Sequence, residues 1–599
     1  MENESAFVAP EGVYSVTDEH KPNPAQLAAV SAGPCLYPTR VTNIVVKFVN
    51  SKQGASQGFA NLLGGGKDVK KDKAAKEKDD GVSLSSSDTP DEADGALGQS
   101  TSAQEHPASP APLEPNTIFS SAPVANGKKK SVARPKHNIR TTSSTFITRI
   151  QSSEGLTKTL ASKQGDVTFL FYNSAKAFSW VEAGSKAKEP LIRVTFSQHP
   201  TCHDVNTATA SPERLDVIIG FATGDLVWFD PITSRYARLN KGGCISSSPC
   251  TAVRWVPAST TLFIVSHADG TIVVYDKERE DGVFTPQDPS APAPDGSSGS
   301  EDGSSHREWD PMDNIFVTMP PWHPVTSGAT APTPGKGEKE KTAKNPVSHW
   351  RVSRRSVVDF VFSPDVKFVA AISEDGCLRV IDALQEQLVD CYSSYFGALS
   401  CVAWSPDGRF ILASTGGQDD LLTIFSPWEQ RVVARCQGHS SFVSAVAFDD
   451  LRSDGRTYRF GSVGEDNKLI LWDFSSGALH RPKLQASHHH RMSMSSSLSL
   501  AYKRDQSAHN LSGMSSSGFD LDVSPRYHPA PSRNEVSVVQ PVLVKQLEGD
   551  LPSVLQFLPK YMLTSTKNGY IKLWIRPLAL RPRPKSSKSQ PLPDISDLS

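Results

Sequence analysis

A repeating unit of about 45 residues is the feature that most limits how this chain can fold. Each copy has an apolar strand, a second strand of small and β-branched residues, a tight turn, and a third strand that ends near an aspartate. Asp-Gly and Asn-Gly pairs suit such turns because they tolerate the positive φ that a two-residue hairpin needs. Six copies are clear, with turns at Gly224-Asp225, Asp269-Gly270, Glu374-Asp375-Gly376, Gln418-Asp419-Asp420, Glu465-Asp466-Asn467 and Asn568-Gly569.

The spacing of these turns predicts seven units. Neighbouring turns lie about 45 residues apart except at two places, where a segment rich in Ser, Pro and Gly intervenes. Without those segments, 141–577 has room for about seven units of the length typical of a WD repeat. The first unit is assembled from weaker strands at 44–49, 145–150, 167–172 and 178–182. We therefore predict an all-β fold, a seven-bladed WD40 β-propeller with long disordered insertions.

Composition divides the chain into folded and disordered parts. Three internal segments hold too little apolar surface to offset the entropy lost on folding. The predicted division is 1–50, an N-terminal segment that contributes a first-blade strand; 51–140, a disordered insertion; 141–280, blades 1–3; 281–345, a disordered insertion; 346–476, blades 4–6; 477–535, a disordered insertion; 536–577, blade 7; and 578–599, a disordered tail.

Charge and cysteine usage indicate a soluble intracellular protein. The 63 Lys and Arg residues balance 64 Asp and Glu, which disfavours nucleic acid as a partner. We find no run of 18 apolar residues and no signal-like start, so no membrane association is expected. Eight scattered cysteines without a CxxC pair suit a reducing compartment. We expect a cytoplasmic and/or nuclear location, because basic runs near 128–140 and 581–588 are either an import signal or solvated linkers.

A search for catalytic and metal-binding motifs predicts no enzyme. We find no GxSxG elbow, no HExxH and no EF-hand loop. Cys202, His203, Cys244 and Cys250 match no structural zinc spacing. We therefore expect no metal, no cofactor and no small-molecule substrate. The alternative is catalysis at the central channel, which requires carboxylates, histidines or a metal that converge near the axis.

One copy carries the specific WD signature. Gly438-His439 is followed, 33 residues after the histidine, by Trp472-Asp473. In that motif the histidine and an aspartate of the hairpin turn, here Asp466, lock the blade through buried hydrogen bonds. We predict this structural role for His439, Asp466, Trp472 and Asp473, with catalysis or metal binding by the histidine as the alternative.

Several blocks of sequence resemble one family of WD proteins in particular, the WD-repeat activators of ubiquitin-specific proteases. The acidic opening and the long insertions are most similar to its fungal catabolite-repression members of the CreC type, whose partner is the deubiquitinase CreB. The blocks are Glu11-Gly12-Val13-Tyr14, Pro200-Thr201-Cys202-His203-Asp204, Val253-Arg254-Trp255-Val256-Pro257, Ser394-Tyr395-Phe396-Gly397 with Trp404-Ser405-Pro406-Asp407-Gly408, and Arg431-Val432-Val433-Ala434-Arg435 with Gly438-His439.

The resemblance implies a non-catalytic subunit that binds and stabilises a CreB-like deubiquitinase and supports its activity in carbon catabolite repression. It also implies that Phe396 and Phe442, on loops that enter adjacent blades, grip the protease. Both residues precede or open a central strand, where propeller loops face a partner. The alternative for each ring is burial between blades. A substrate receptor of a ubiquitin ligase is the alternative function, since it shares the fold and differs only in partner.

Overall fold

Seven β-sheets packed side by side form the part of the chain that the structure describes. This computed structural model describes residues 5–22, 37–49, 133–139, 145–185, 189–289, 309–323, 343–415, 420–475, 477 and 526–577. Within those ranges the regular helices are Leu156–Ala161 and a single 3-10 turn at Asp450–Arg452. The predicted seven-bladed β-propeller is confirmed.

Blades 1 to 3 each contain five strands, in order from the centre of the ring outwards. Blade 1 is Val41–Phe48, Gly165–Ser174, Ala177–Glu182, Ile192–Phe196 and Ile147–Ser152. Blade 2 is Pro200–Val205, Val217–Phe221, Leu226–Asp230, Arg235–Leu239 and His137–Asn138. Blade 3 is Cys250–Trp255, Leu262–His267, Thr271–Asp276, Ser348–Arg351 and Phe316–Thr318.

Blades 4 to 6 follow the same antiparallel plan. Blade 4 is Val357–Phe362, Phe368–Ser373, Cys377–Asp382, Gln387–Ser393 and Tyr527–His528. Blade 5 is Leu399–Trp404, Ile411–Thr415, Leu422–Ser426, Arg431–Cys436 and Ser537–Val539. Blade 6 has four described strands, which are Val443–Phe448, Thr457–Gly464, Lys468–Ser475 and Pro541–Gln546. The outermost strands of blades 4 and 5 are parallel to their neighbours.

Blade 7 closes the ring with strands from both termini. Its strands are Pro552–Phe557, Tyr561–Thr566, Ile571–Ile575, Gly12–His20 and Ala6–Ala9. Tyr14 is fully buried, stacks on Phe7 with ring centroids 4.8 Å apart, and donates a hydrogen bond to Glu11 (2.7 Å). A sheet that joins the two ends of the chain resists opening, because separating the blades would break this pairing.

The apolar core lies between blades. Leu170 and Val181 of blade 1, for example, pack with Leu563 and Leu573 of blade 7 in one buried cluster. Four tryptophans, Trp180, Trp350, Trp472 and Trp574, are among the largest fully buried side chains. Strands buried on both faces lose the polar alternation of an exposed sheet, which explains the nearly continuous apolar runs in the sequence.

Hydrogen bonds join the first residues of the innermost strands. Ser400 Oγ donates to the carbonyl of Val443 in the next blade (2.7 Å), and Ser444 Oγ donates to that of Pro552 in the one after (2.7 Å). Ser553 Oγ continues the series to Thr39 (3.1 Å). Innermost strands of neighbouring blades therefore begin at the same end of the ring, which we call the upper end. The opposite end is the lower end.

The strand assignment differs from the prediction at blade edges. Gly12–His20, in the 1–50 segment predicted to contribute a first-blade strand, belongs to blade 7, and Pro541–Gln546, predicted in blade 7, completes blade 6. Ser348–Arg351, predicted within blades 4–6, completes blade 3. Ser348–Arg351 and Pro541–Gln546 differ from the prediction because long insertions separate them in sequence from the hairpins that they join.

Parts of the predicted disordered insertions are ordered against the propeller. Residues 133–139, 309–323 and 526–535 lie in segments predicted to be disordered, and each provides or flanks an outer strand. An outer strand has unpaired N–H and C=O groups, and the ends of the insertions satisfy some of them. Residues 281–289, 343–345 and 477 of the predicted insertions are described as well, whereas the remainder of 51–140, 281–345 and 477–535, together with the tail 578–599, lies outside the described residues. In the described ranges no helix is long and apolar enough to cross a membrane.

Candidate functional site

The central channel is lined by the innermost strands and encloses about 600 Å³. Arg254 of blade 3 donates to Asp359 of the neighbouring blade 4 (Nη2 to Oδ1, 2.7 Å) and to the carbonyl of Phe360. Burial raises the pKa of Asp204 to about 6, and its carboxylate accepts the Trp255 N–H (2.8 Å). His203 turns its ring away, with Nε2 3.0 Å from the carbonyl of Phe171. Asp204 and Asp359 both act electrostatically on Arg254, so these groups are engaged with one another between blades 2, 3 and 4.

Metal ligands are not clustered in the described ranges, where no three His, Cys, Asp or Glu side chains could hold an ion together. Cys202 and Cys250 approach each other across Gly220, a position where a β-carbon would meet both side chains. Burial raises the pKa of the Cys202 thiol to about 12 and that of Cys250 well above its usual value. Both are protonated thiols packed in the core, which is a poor state for binding zinc.

His439 lies at the centre of a buried hydrogen-bond network in blade 6. Its Nδ1 is 3.0 Å from Asp466 Oδ1, and its Nε2 is 2.8 Å from Ser462 Oγ. Trp472 Nε1 donates to the same Ser462 hydroxyl (2.9 Å). Burial lowers the pKa of His439, although Asp466 opposes this. The neutral ring therefore donates from Nδ1 to the carboxylate and accepts at Nε2 from Ser462.

Asp466 accepts several hydrogen bonds. Besides the histidine, the backbone N–H of Ser440 (2.9 Å) and that of Lys468 (3.1 Å) reach its carboxylate. Burial alone would raise the pKa of Asp466, but these hydrogen bonds and the histidine outweigh it, so the pKa lies below its usual value. Asp466 thus joins the loop before the innermost strand to the hairpin turn of the same blade.

Asp473 does not belong to that network. Its carboxylate holds Arg459 (Nε to Oδ1, 2.5 Å), which also binds Glu11 of the N-terminal segment (2.6 Å). Side chains of adjacent strand residues point to opposite faces, so Trp472 and Asp473 must serve different neighbours. The first three residues of the predicted motif are brought together, and the fourth connects blade 6 to the N-terminal segment that closes blade 7.

Blade 4 has a related network that the sequence did not single out. Asp375, at the turn position corresponding to Asp466, accepts from Arg379 (Nη2, 2.7 Å), Ser353 (2.7 Å) and Ser373 (2.8 Å). Arg379 is fully buried and also donates to the carbonyl of Pro311 (2.9 Å). In blade 4 a charged arginine thus donates to the turn aspartate, as His439 does in blade 6. The turn aspartate is the sequence feature from which this network could have been predicted, because each clear repeat has an Asp or Asn at that position.

The two aromatics predicted to bind a partner lie at the upper end of neighbouring blades. Phe396 precedes the innermost strand of blade 5 and is 54% exposed, and Phe442 precedes that of blade 6 and is 44% exposed. The hydrogen bond from Ser400 to Val443 holds the starts of the two strands together. Neither ring is buried between blades, which was the alternative for both.

Polar side chains surround Phe396. The Arg533 guanidinium lies over the ring, 5.1 Å from its centroid, and Tyr395 is half-buried beside it. Burial raises the pKa of Tyr395, Arg435 and Arg533 oppose this, and Glu535 adds to it. Sequence reasoning missed Arg533 because it lies in a segment that was predicted to be disordered.

Comparison with known proteins identifies the family. The WD domain, G-beta repeat model matches residues 387–426. A curated protein of Schizosaccharomyces pombe (strain 972 / ATCC 24843), the UBP9-binding protein bun62, is 34% identical over 434 residues, which span 72% of this chain and 75% of that protein. The chain belongs to the WD-repeat family of that protein.

Solved structures provide a weaker comparison. A chain from the crystal structure of the mitotic checkpoint complex aligns with a TM-score of 0.40 and 10% identity, covering 76% of this chain and 98% of that chain. A TM-score and an identity this low support no conclusion about the function of this chain. In this WD-repeat family member, the matched repeat runs from the Gln387–Ser393 strand of blade 4 to the Leu422–Ser426 strand of blade 5. It therefore contains Phe396.

Another exposed aromatic of this family member lies at the lower end of blade 5. Trp428 is 82% exposed, in the turn between Leu422–Ser426 and Arg431–Cys436. Sequence reasoning did not select it, because a tryptophan in a polar turn gives no sign of how far its ring extends into solvent. It provides a comparison for Phe396, since the two rings lie at opposite ends of one blade.

Proposed function

We propose that this chain is a non-catalytic scaffold that binds a ubiquitin-specific protease through the upper end of blades 5 and 6. The observation that carries the proposal is the pair of exposed rings, Phe396 and Phe442, in the loops that enter the innermost strands of neighbouring blades. Isolated large apolar side chains on a surface are common, but two exposed aromatics at the same end of neighbouring blades are typical of the centre of an interface. The name of the S. pombe relative, a UBP9-binding protein, supports a protease of this class as the partner.

The partner that we propose is a CreB-like deubiquitinase, which the chain stabilises and activates in carbon catabolite repression. A rigid ring suits this role because it can hold a flexible enzyme in one conformation without changing its own shape. We further propose that the chain performs no reaction itself and acts in the cytoplasm and/or the nucleus. Purified chain alone should release no ubiquitin from a ubiquitin conjugate, whereas the protease should release it faster when the chain is added.

The binding site is tested by truncating the two aromatics. We expect Phe396→Ala and Phe442→Ala each to weaken protease binding by about 2 kcal/mol, or about 30-fold in Kd, because each ring leaves water when the complex forms. Isothermal titration calorimetry with the purified deubiquitinase measures the effect. Trp428→Ala is the matched control, since it removes a more exposed ring from the lower end of the same blade.

The control separates a local from a general effect. Trp428→Ala should bind the protease as the unchanged chain does. If a folded Phe396→Ala, Phe442→Ala double variant retained full affinity, the proposed site would be wrong. If capture of partners from cells by the unchanged chain returned ubiquitin ligase subunits and no deubiquitinase, the substrate-receptor alternative would replace the proposed function.

A further inference from the structure

Part of the basic run near 128–140 is packed on the propeller. Its described residues, 133–139, lie along the outer edge of blade 2, where His137–Asn138 pairs with Arg235–Leu239. The Ile139 N–H donates to the carbonyl of Ser234 in the turn that begins the second of these strands (2.9 Å). That turn lies at the lower end of the ring. This part of the run therefore has a fixed place on the fold, which neither an exposed import signal nor a solvated linker requires.

The segment and the lower turn of blade 2 enclose a groove of about 580 Å³. The described residues that line it are Arg134, Asn138, Ile139, Thr233, Ser234 and Arg235. No carboxylate is among these described lining residues. Asn138 and Arg235 lie directly opposite each other in paired strands, so their side chains are on the same face of the sheet. Two guanidinium groups, an amide and a hydroxyl thus border one groove, and all of them can donate hydrogen bonds.

The two arginines differ in how they are held. Arg235 is exposed, and its guanidinium has no hydrogen bond or ion pair in the described part of the chain. Arg134 Nη1 lies 3.7 Å from Oδ2 of the fully buried Asp230, and its Nη2 donates to the carbonyl of Glu213 (3.2 Å). Burial raises the pKa of Asp230, although Thr233 and Arg134 oppose this. Arg134 is therefore positioned by the fold, whereas the guanidinium of Arg235 is available to a ligand.

The number of donors favours a phosphoryl group over a carboxylate. A phosphate monoester has three terminal oxygens that accept hydrogen bonds and a charge of about −1.5 to −2 at neutral pH. Guanidinium groups bind such oxygens in pairs, and these charge-assisted hydrogen bonds are stronger than neutral ones. A carboxylate has only two oxygens and one charge, so it would leave part of the donor set unused. The ligand that matches the groove is therefore a phosphate monoester.

Acidic residues beside the groove limit the size of an anionic ligand. Glu278 accepts the Ala133 N–H (3.1 Å), and Glu280 lies 4.0 Å from Lys136. Both glutamates are exposed. A nucleic acid that followed the segment would meet these carboxylates and be repelled, whereas a single phosphoryl group in the groove would meet only the lining residues.

We propose that the groove lined by Arg134, Asn138, Ser234 and Arg235, which we call the Arg235 groove, binds a phosphate monoester. The two guanidinium groups hold the phosphoryl oxygens, and the amide and the hydroxyl donate to them. Two sources carry this group, a phosphorylated serine or threonine of a protein and a free phosphate, and binding measurements distinguish them. The groove lies at the opposite end of the ring from the proposed protease site, so this inference does not depend on the proposed function.

Fluorescence anisotropy of a labelled, alanine-rich peptide with one phosphoserine, titrated with the full chain, tests the proposal. We expect saturable binding that Arg235→Gln weakens at least about tenfold, because the substitution removes a charge-assisted contact. The thermal unfolding midpoint of Arg235→Gln should equal that of the unchanged chain, since the replaced side chain is exposed. Arg149→Gln is the matched control: it removes the same charge from an exposed position on the outermost strand of blade 1 and should leave Kd unchanged.

Further probes identify the ligand chemistry. The same peptide with unmodified serine should not bind, and the peptide with glutamate in its place should bind at least about tenfold more weakly, because it has one charge and two oxygens. Inorganic phosphate should displace the labelled peptide. Displacement at a concentration near the Kd of the peptide shows that a free phosphate is sufficient, whereas displacement only at a much higher concentration shows that a phosphorylated protein segment is preferred.

Four results would overturn the proposal. They are no saturable binding of the phosphoserine peptide, equal binding of the glutamate peptide, an unchanged Kd for Arg235→Gln, and an equal loss of affinity in Arg149→Gln. The last result would show a general effect of net charge rather than a site in the groove. None of these results bears on protease binding at the upper end, so the proposed function would stand.

Discussion

The four residues of the WD signature have two different tasks. His439, Asp466 and Trp472 are linked through buried hydrogen bonds and Ser462, whereas Asp473 is 38% exposed and pairs with Arg459. The Gly-His dipeptide and the turn aspartate made the first part predictable from sequence. Asp473 was grouped with Trp472 because the two residues are adjacent in sequence. Adjacent residues of a strand do not share a network, because their side chains point to opposite faces.

Substitution of the two aspartates separates these tasks. Asp466→Ala should lower the free energy of unfolding by about 2–3 kcal/mol, because it leaves the buried His439 Nδ1–H and the Ser440 N–H without an acceptor. Asp473→Ala should cost about 1 kcal/mol or less, because water can replace its carboxylate at Arg459. Urea denaturation followed by tryptophan fluorescence measures both. Equal losses would contradict the difference in role.

The exposed residues were less predictable than the buried ones. Phe396 and Phe442 were predicted by resemblance and by their position before a central strand, whereas Arg533 and Trp428 were not predicted at all. Exposure depends on how far a side chain extends beyond its neighbours, and no local pattern encodes that. Whether a segment such as 526–535 is ordered depends in addition on a distant sheet edge that receives it.

The inner strands of each blade follow directly from the repeat. Hairpins such as Phe368–Ser373 with Cys377–Asp382 are short in sequence, and their turn residues fix their register. Outer strands are different, because Ser348–Arg351 and Pro541–Gln546 return to their blades only after long insertions. The sequence therefore indicated three strands of a typical blade, and the fourth strands that follow insertions were assigned to the wrong blade.

The N-terminal strand Gly12–His20 is the element on which closure of the ring depends. Tyr14→Ala should lower the free energy of unfolding by about 3–5 kcal/mol, the loss typical of removing a fully buried aromatic ring. Val13, the preceding residue, is 53% exposed, and Val13→Ala should cost about 0.5 kcal/mol or less. Thermal unfolding of the two variants compares them. A Tyr14→Ala variant as stable as Val13→Ala would show that this strand does not support closure.

The residues that the structure describes form a ring with two different ends. Its core lies between blades, its channel holds ion-paired and hydrogen-bonded groups, and its upper end carries Phe442 and Phe396, the latter under the Arg533 guanidinium. The repeat period was enough to predict the ring, because units that cannot bury their own apolar faces must stack on one another. It could not identify the proposed binding end, which depends on loops that differ from one repeat to the next.

Hydrogen exchange of the full chain, with and without the purified deubiquitinase, tests the central claim most directly. Amides in the loops at 394–397 and 440–444 should exchange more slowly in the complex, because the partner covers the upper end of blades 5 and 6. Amides of the turn at 427–430, at the lower end, should exchange at the same rate in both samples. Slower exchange at 427–430 with no change at 394–397 and 440–444 would contradict the account.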